Sequence, residues 1–179
     1  MINFRSQIAQ KVLSYFLLND KEEMYVNEMA GKFAVDRGNL TRKLAEWEKE
    51  GILSKSERGN LSLYKVNGNY PFLDEMKKIV QKSFGLEEQL KQALKNIKGL
   101  KTAIIFGSYA ENKLNAESDI DLLLIGSHGF LEAQREMVKL QKKFGREINV
   151  VDMTEKEFKD KKDDELLENI FNGRYIQII

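Results

Sequence analysis

Residues 104–125 read IIFGSYAENKLNAESDIDLLLI: an apolar run closes on Gly107-Ser108, ten residues follow, and Asp119-Ile120-Asp121 opens a second apolar run. A strand of the type Asp-Ile-Asp-Leu-Leu-Leu-Ile should not begin with two carboxylates unless something neutralises them. Alternate residues of a strand share a face, so Asp119 and Asp121 point the same way, roughly 7 Å apart along the chain. Like charges held this way raise each other's proton affinity. A divalent cation removes the conflict, and hard oxygen ligands suit magnesium. The Gly-Ser turn, placed before a short predicted helix, offers bare backbone N–H groups and a hydroxyl, the means by which chains hold phosphate. A phosphate cradle beside paired carboxylates points to metal-assisted phosphoryl or nucleotidyl transfer.

The elements that must position these residues are legible around them. Thr102–Phe106 reads as a strand, Ser108-Tyr109-Ala110 as the opening of a helix, and Asp119–Ile125 as the next strand. Phe130–Phe144 is predicted to be an amphipathic helix, with Leu131, Met137, Val138, Leu140 and Gln141 marking its turns. Glu147–Met153 follows as a third strand, and Thr154-Glu155-Lys156-Glu157 forms a capping box for another helix. Asp163–Asn172 continues helical and Arg174–Ile179 closes as a strand. His128, the sole histidine, is expected in a solvent-exposed turn.

The spaced Gly-Ser and Asp-x-Asp pair resembles the nucleotidyltransferase superfamily that includes DNA polymerase beta and the aminoglycoside nucleotidyltransferases, in its minimal branch. The resemblance assigns Gly107, Ser108 and Ser118 to the nucleotide, and Asp119 and Asp121 to catalytic metal, a two-ion Mg²⁺ site with a nucleoside triphosphate as substrate. It also implies a third acid centrally in a neighbouring apolar strand. Here Ile148-Asn149-Val150 carries Asn149, which cannot take a proton. Glu147 shares the face of Asn149 and is the candidate catalytic third acid, within a run, FGREINVVDMTEKEF, similar to that of winged-helix-fused relatives. Asp152 has the opposite parity and should point away. Glu111 is a second departure, since relatives carry a cation there and an acid beside phosphate weakens binding; Lys113 can compensate.

The front of the chain reads as helices over 3–19 (Phe4, Ile8, Val12, Leu13, Phe16 and Leu17 inward), Val26–Phe33, and Asp36 to about Glu50, with Leu40, Leu44 and Trp47 buried. Strands Ile52–Lys55 and Leu61–Val66 flank a turn, Glu57-Arg58-Gly59-Asn60. This order resembles the winged helix-turn-helix domain. That likeness implies DNA contact through Arg37, Asn39, Thr41, Arg42, Lys43 and Arg58, with Lys55 on the wing beside them. From Phe72 to about Ile97 a helix pair, broken near Gly85, links the modules. The expected architecture is α+β in two domains: a winged helix over 1–68, a helical linker over 69–98, and a nucleotidyltransferase-type mixed sheet with flanking helices over 99–179.

The net charge of +1 hides a front half rich in cations and a rear half rich in acids, which permits nucleic acid at one end and metal at the other. Cysteine is absent, which excludes disulfides and thiolate metal sites. No apolar run approaches the ~20 residues needed to span a bilayer, and the start lacks a signal pattern, so a cytoplasmic location is expected without a membrane partner. The leading expectation is an Mg²⁺-dependent enzyme moving a nucleoside monophosphate onto a hydroxyl, recruited by a DNA-binding module. The alternative is a transcriptional regulator whose rear domain binds nucleotide or a partner without turnover. A homodimer and a small helical protein partner, as in toxin–antitoxin pairs, are further expected partners.

Overall fold

The computed structural model describes residues 5–115, 118–161 and 164–179. Phe4 of the expected first helix and Asp163 of the expected later helix lie outside the described residues. The chain divides into two compact units, Met1–Leu86 and Glu87–Ile179.

The front unit begins with α1 (Gln7–Phe16), which starts later than its apolar spacing suggested because Ser6 caps it by accepting from the Ala9 N–H. A three-residue strand absent from the expectations, β1 (Glu23–Tyr25), precedes α2 (Val26–Phe33). Asp36 accepts from the Asn39 N–H at 2.8 Å and opens α3 (Arg37–Lys49); Gly51, at a φ of 76°, turns the chain out of it. The hairpin β2 (Leu53–Arg58) and β3 (Leu61–Val66) then pairs antiparallel, with β1 against the other side of β3. Glu57 and Arg58 belong to β2 rather than to the turn, which shrinks to Gly59-Asn60 because Arg58 pairs with Leu61. Val12, Leu13, Phe16, Met29, Leu40, Leu44, Trp47 and Ile52 form a fully buried core, joined by Met76 and Val80 of α4 (Leu73–Ser83). At the predicted break, a methyl group on Gly85 would overlap the Gln81 backbone and side chain, whose amide oxygen accepts from the Leu86 N–H at 2.7 Å.

Helix α5 (Leu86–Leu94) starts at the boundary between the units. The rear unit continues with β4 (Leu100–Phe106), the single turn α6 (Gly107–Ala110), β5 (Ile120–Gly126), α7 (Phe130–Phe144), β6 (Ile148–Met153), α8 (Glu155–Asp160), α9 (Glu165–Asn172) and β7 (Ile176–Gln177). Its mixed sheet has the order β6-β5-β4-β7, with β5 and β6 parallel and the other pairs antiparallel. The central strand β5 is buried at every residue except Asp121, and that uniform apolar run is what a strand covered on both faces requires. Leu123 and Ile125 pack with Ile104, Met153 and the α9 residues Leu167 and Ile170. Helix α7 buries Ala133, Met137, Leu140 and Phe144, whereas Leu131 and Val138, two of its predicted markers, face solvent. The helix turns a face narrower than the run of apolar residues it carries, and Leu131 falls outside it. Both halves of the Thr154–Glu157 capping box are formed.

Candidate functional site

The two halves of the sequence signal meet at the start of β5. Asp121 is registered between Phe106 on β4 and Asn149 on β6, so the bend that follows Phe106 lies beside it. Gly107 has a φ of 68°, and a methyl group built on it would overlap Asp121 Oδ2. Only glycine satisfies both conditions, because the left-handed backbone is strained for other residues and the carboxylate occupies the side-chain position. Tyr109, buried in the same turn, donates to Glu87 of α5 at 3.2 Å; burial first, then the Glu87 charge, raises its hydroxyl well above the usual value.

Asp119 and Asp121 lie on the opposite side of the strand from the fully buried Ile120, as alternation demands. Burial pushes the Asp121 carboxyl above the usual carboxylate range, and the Asp119 charge adds to that; the Asn149 amide works against both. The direct bond from Asn149 Nδ2 goes to Asp119 Oδ2 at 3.1 Å, so one amide faces both acids. The pair thus has a neutral donor where a cation would relieve it fully. Two half-buried carboxylates beside a glycine bend offer the hard oxygen donors that a divalent ion takes. Among the described residues, no third carboxylate or imidazole joins them in a cluster able to hold an ion.

Part of the chain is similar to known proteins. Residues 88–176 match the family model described as Polymerase beta, Nucleotidyltransferase. The rear unit is a nucleotidyltransferase-family domain. Among solved structures, a toxin-antitoxin with AMP-PNP is similar at 20% identity over 52% of this chain and 72% of that one, with a TM-score of 0.40. A mutant of the toxin-antitoxin MntA-HpeT is similar at 18% identity over the same shares, again with a TM-score of 0.40. No curated protein matches the chain.

Within the nucleotidyltransferase-family domain the remaining sequence candidates take distinct places. Ser108 is half-exposed in the one-turn helix, and Ser118 accepts from the Asn115 N–H at 3.1 Å just before Asp119. Glu147 is exposed one residue ahead of β6, and its backbone carbonyl accepts from the Ile120 N–H at 2.9 Å. Glu111 pairs with Lys113 at 2.8 Å, so its charge is partly answered at the surface. His128 corrects an expectation: its side chain is fully buried, with Nε2 at 3.2 Å from Asp152 Oδ2. The loop after β5 folds the imidazole inward toward the face that Asp152, as its parity required, presents away from the acid pair. Arg146 was not among the candidates for the site, yet it is buried and its Nη1 donates to the carbonyls of Asn115 (2.6 Å) and Ser118 (2.9 Å). A charged residue between the helix-ending Gly145 and an apolar strand was the available signal.

In the front unit, Arg37, Asn39, Thr41 and Arg42 are exposed along α3, while Leu40, Leu44 and Trp47 face the core. Arg42 donates to Asn39 Oδ1 at 2.9 Å. Lys43 is held by Glu46 at 2.7 Å, and Arg58 by Glu23 at 2.8 Å. A cleft of about 180 Å³ lies between α3 and the hairpin tip, lined by Tyr25, Asn27, Arg37, Thr41, Asn60 and Ser62 among others. Among the described residues, no helix is long and apolar enough to cross a membrane.

Proposed function

We propose that the rear unit is a magnesium-dependent nucleotidyltransferase that moves a nucleoside monophosphate from a nucleoside triphosphate to a hydroxyl acceptor. The observation that carries this reading is the contact of Gly107 with Asp121, which sets a phosphate-holding bend against a strained acid pair. Asp119 and Asp121 would hold Mg²⁺, which when bound supplies charge neutralisation at the attacking and leaving oxygens. Gly107 and Ser108 would orient the phosphates through the first N–H groups of α6, which have no partner within a helix. Ser118, whose hydroxyl accepts from the Asn115 N–H, would border the nucleotide. Glu147 is the acid with which this chain would take the acceptor proton, since Asn149 cannot.

The front unit fits a winged helix-turn-helix module, with α3 as the element read against DNA and the β2–β3 hairpin as its wing. Three helices followed by a hairpin support this, as do the exposed Arg37, Asn39, Thr41 and Arg42. A second reading is favoured by one observation, the Asn149 amide bonded to Asp119 in the row where a third carboxylate would sit. On that reading the domain binds nucleotide without turnover and regulates transcription through the front unit.

Replacing Asp119 and Asp121 by Asn, singly and together, separates these readings from error. Mg²⁺-dependent nucleotide binding and labelled-nucleotide transfer should both disappear. Transfer retained by the double variant contradicts the assignment, and binding without transfer in the unaltered protein selects the second reading.

A further inference from the structure

At residue 149 an amide stands among carboxylates. Strand β6 runs parallel to β5 and sets Asn149 opposite Asp121, in the row that also holds Phe106 of β4. From that register Asn149 Nδ2 donates to Asp119 Oδ2 at 3.1 Å. Burial raises the proton affinity of Asp121, and a hydrogen bond from the same Asn149 side chain works against it. One NH₂ group has two N–H bonds and can serve both acids at once, whereas the carbonyl end of the amide would repel them. The amide thus takes the part that a cation shared by the two carboxylates would take.

This contact is built to be released. Asn149 is exposed, so no packing pins its side chain. Rotation about its own side-chain bonds frees the amide into water, while the backbone stays paired to β5 from Ile148 to Met153. We infer that Asn149 is a positioning residue that latches the candidate metal site: its amide holds Asp119 and Asp121 while the site is empty and must be displaced before the pair holds a divalent cation. The inference rests on the reading of Asp119 and Asp121 as metal ligands, and adds to it a condition for loading. Giving up a hydrogen bond to a charged acceptor lowers the apparent metal affinity by about tenfold. Metal alone has only the two carboxylates to offset that loss, whereas metal arriving with a triphosphate has phosphate oxygens as well. The site therefore loads with metal and nucleotide together in preference to metal alone. A carboxylate at 149 would do the reverse, repelling its neighbours until a cation arrives.

The test is Mn²⁺ binding without nucleotide at neutral pH, read from the electron paramagnetic resonance signal of the free ion, on the full chain and its Asn149→Ala variant. Asn149→Ala should bind Mn²⁺ about tenfold more tightly than the unaltered chain, and adding Asp119→Asn should abolish that gain. In the unaltered chain, the side-chain amide resonances of Asn149, assigned through its backbone, should shift and exchange faster with water as Mg²⁺ is added. Mn²⁺ binding by Asn149→Ala that is equal to or weaker than that of the unaltered chain would overturn the latch. Amide resonances that stay fixed while Mg²⁺ fills the site would overturn it too, and they carry the test if Asn149→Ala does not fold. Mn²⁺ held by neither form overturns the reading of the acid pair itself; binding that is present but indifferent to residue 149 overturns the latch alone.

Discussion

The two candidate sites of this chain handle charge in opposite ways. On the front unit, three of the cations suited to DNA already have carboxylate partners: Lys43 with Glu46, Arg58 with Glu23 and Lys55 with Glu57. In the rear unit, burial first and the Asp119 charge after it raise the proton affinity of Asp121, with the Asn149 amide working against both. Exposed ion pairs contribute little to stability and blunt a positive field. A half-buried acid beside a second one is relieved either by holding a proton or by a cation. On the reading proposed above, the rear unit has the charge that a ligand would answer.

Two glycines with nearly the same backbone sharpen this contrast. Gly59, in the hairpin turn, has a φ of 59° and open space around it; Gly107 has a φ of 68° and the Asp121 carboxylate in the way. Gly59→Ala should cost only the left-handed strain, about 1–2 kcal/mol. Gly107→Ala should cost more than that and also displace Asp121, abolishing Mg²⁺-dependent nucleotide binding. Denaturant melts and nucleotide titration of both variants measure the difference. Equal losses of stability with intact nucleotide binding would break the comparison.

The pH dependence of stability tests the acid pair without any ligand. A carboxyl whose folded proton affinity is raised contributes stability that is present below its ordinary value of 3.8 and is lost as pH rises through the folded value. Metal-free protein should therefore lose stability relative to Asp121→Asn as pH climbs from about 4 toward neutrality. Mg²⁺ at neutral pH should restore the unaltered chain and leave the variant unmoved. A difference that stays flat across this range would contradict the electrostatic account.

The smallest expected effect lies on the front unit. Glu23→Gln and Glu46→Gln release Arg58 and Lys43 from their ion pairs. If α3 and the hairpin meet DNA, each variant should strengthen binding and steepen its salt dependence by about one ion, with stability changed by less than about 1 kcal/mol. Salt titrations of binding to mixed-sequence duplex measure it. DNA affinity absent from every form removes the DNA role.

What could be read from the sequence followed physical repetition. The helices Val26–Phe33 and Phe130–Phe144 were legible because apolar residues recur at helical spacing between clear end signals. The Gly-Ser bend and the acid pair were legible because their oddness is local: glycine before a hydroxyl, charges opening an apolar strand. The short β1 was not, since three residues show no period and its pairing partner lies some forty positions away. His128 and Arg146 escaped for a shared reason. Each is a polar residue in a connecting segment, where exposure is the usual outcome, and only contacts with residues distant in sequence hold them inward. The apolar surplus on α7 misled in the other direction, since Leu131 is as hydrophobic as its neighbours and still faces water.

The most direct test is a crystal of the full chain grown with Mg²⁺ and a non-hydrolysable nucleoside triphosphate. The account predicts metal bound between Asp119 and Asp121, with phosphate oxygens on the Gly107 and Ser108 N–H groups. A triphosphate seated elsewhere, or an acid pair still bonded to Asn149 with no ion beside it, would contradict it.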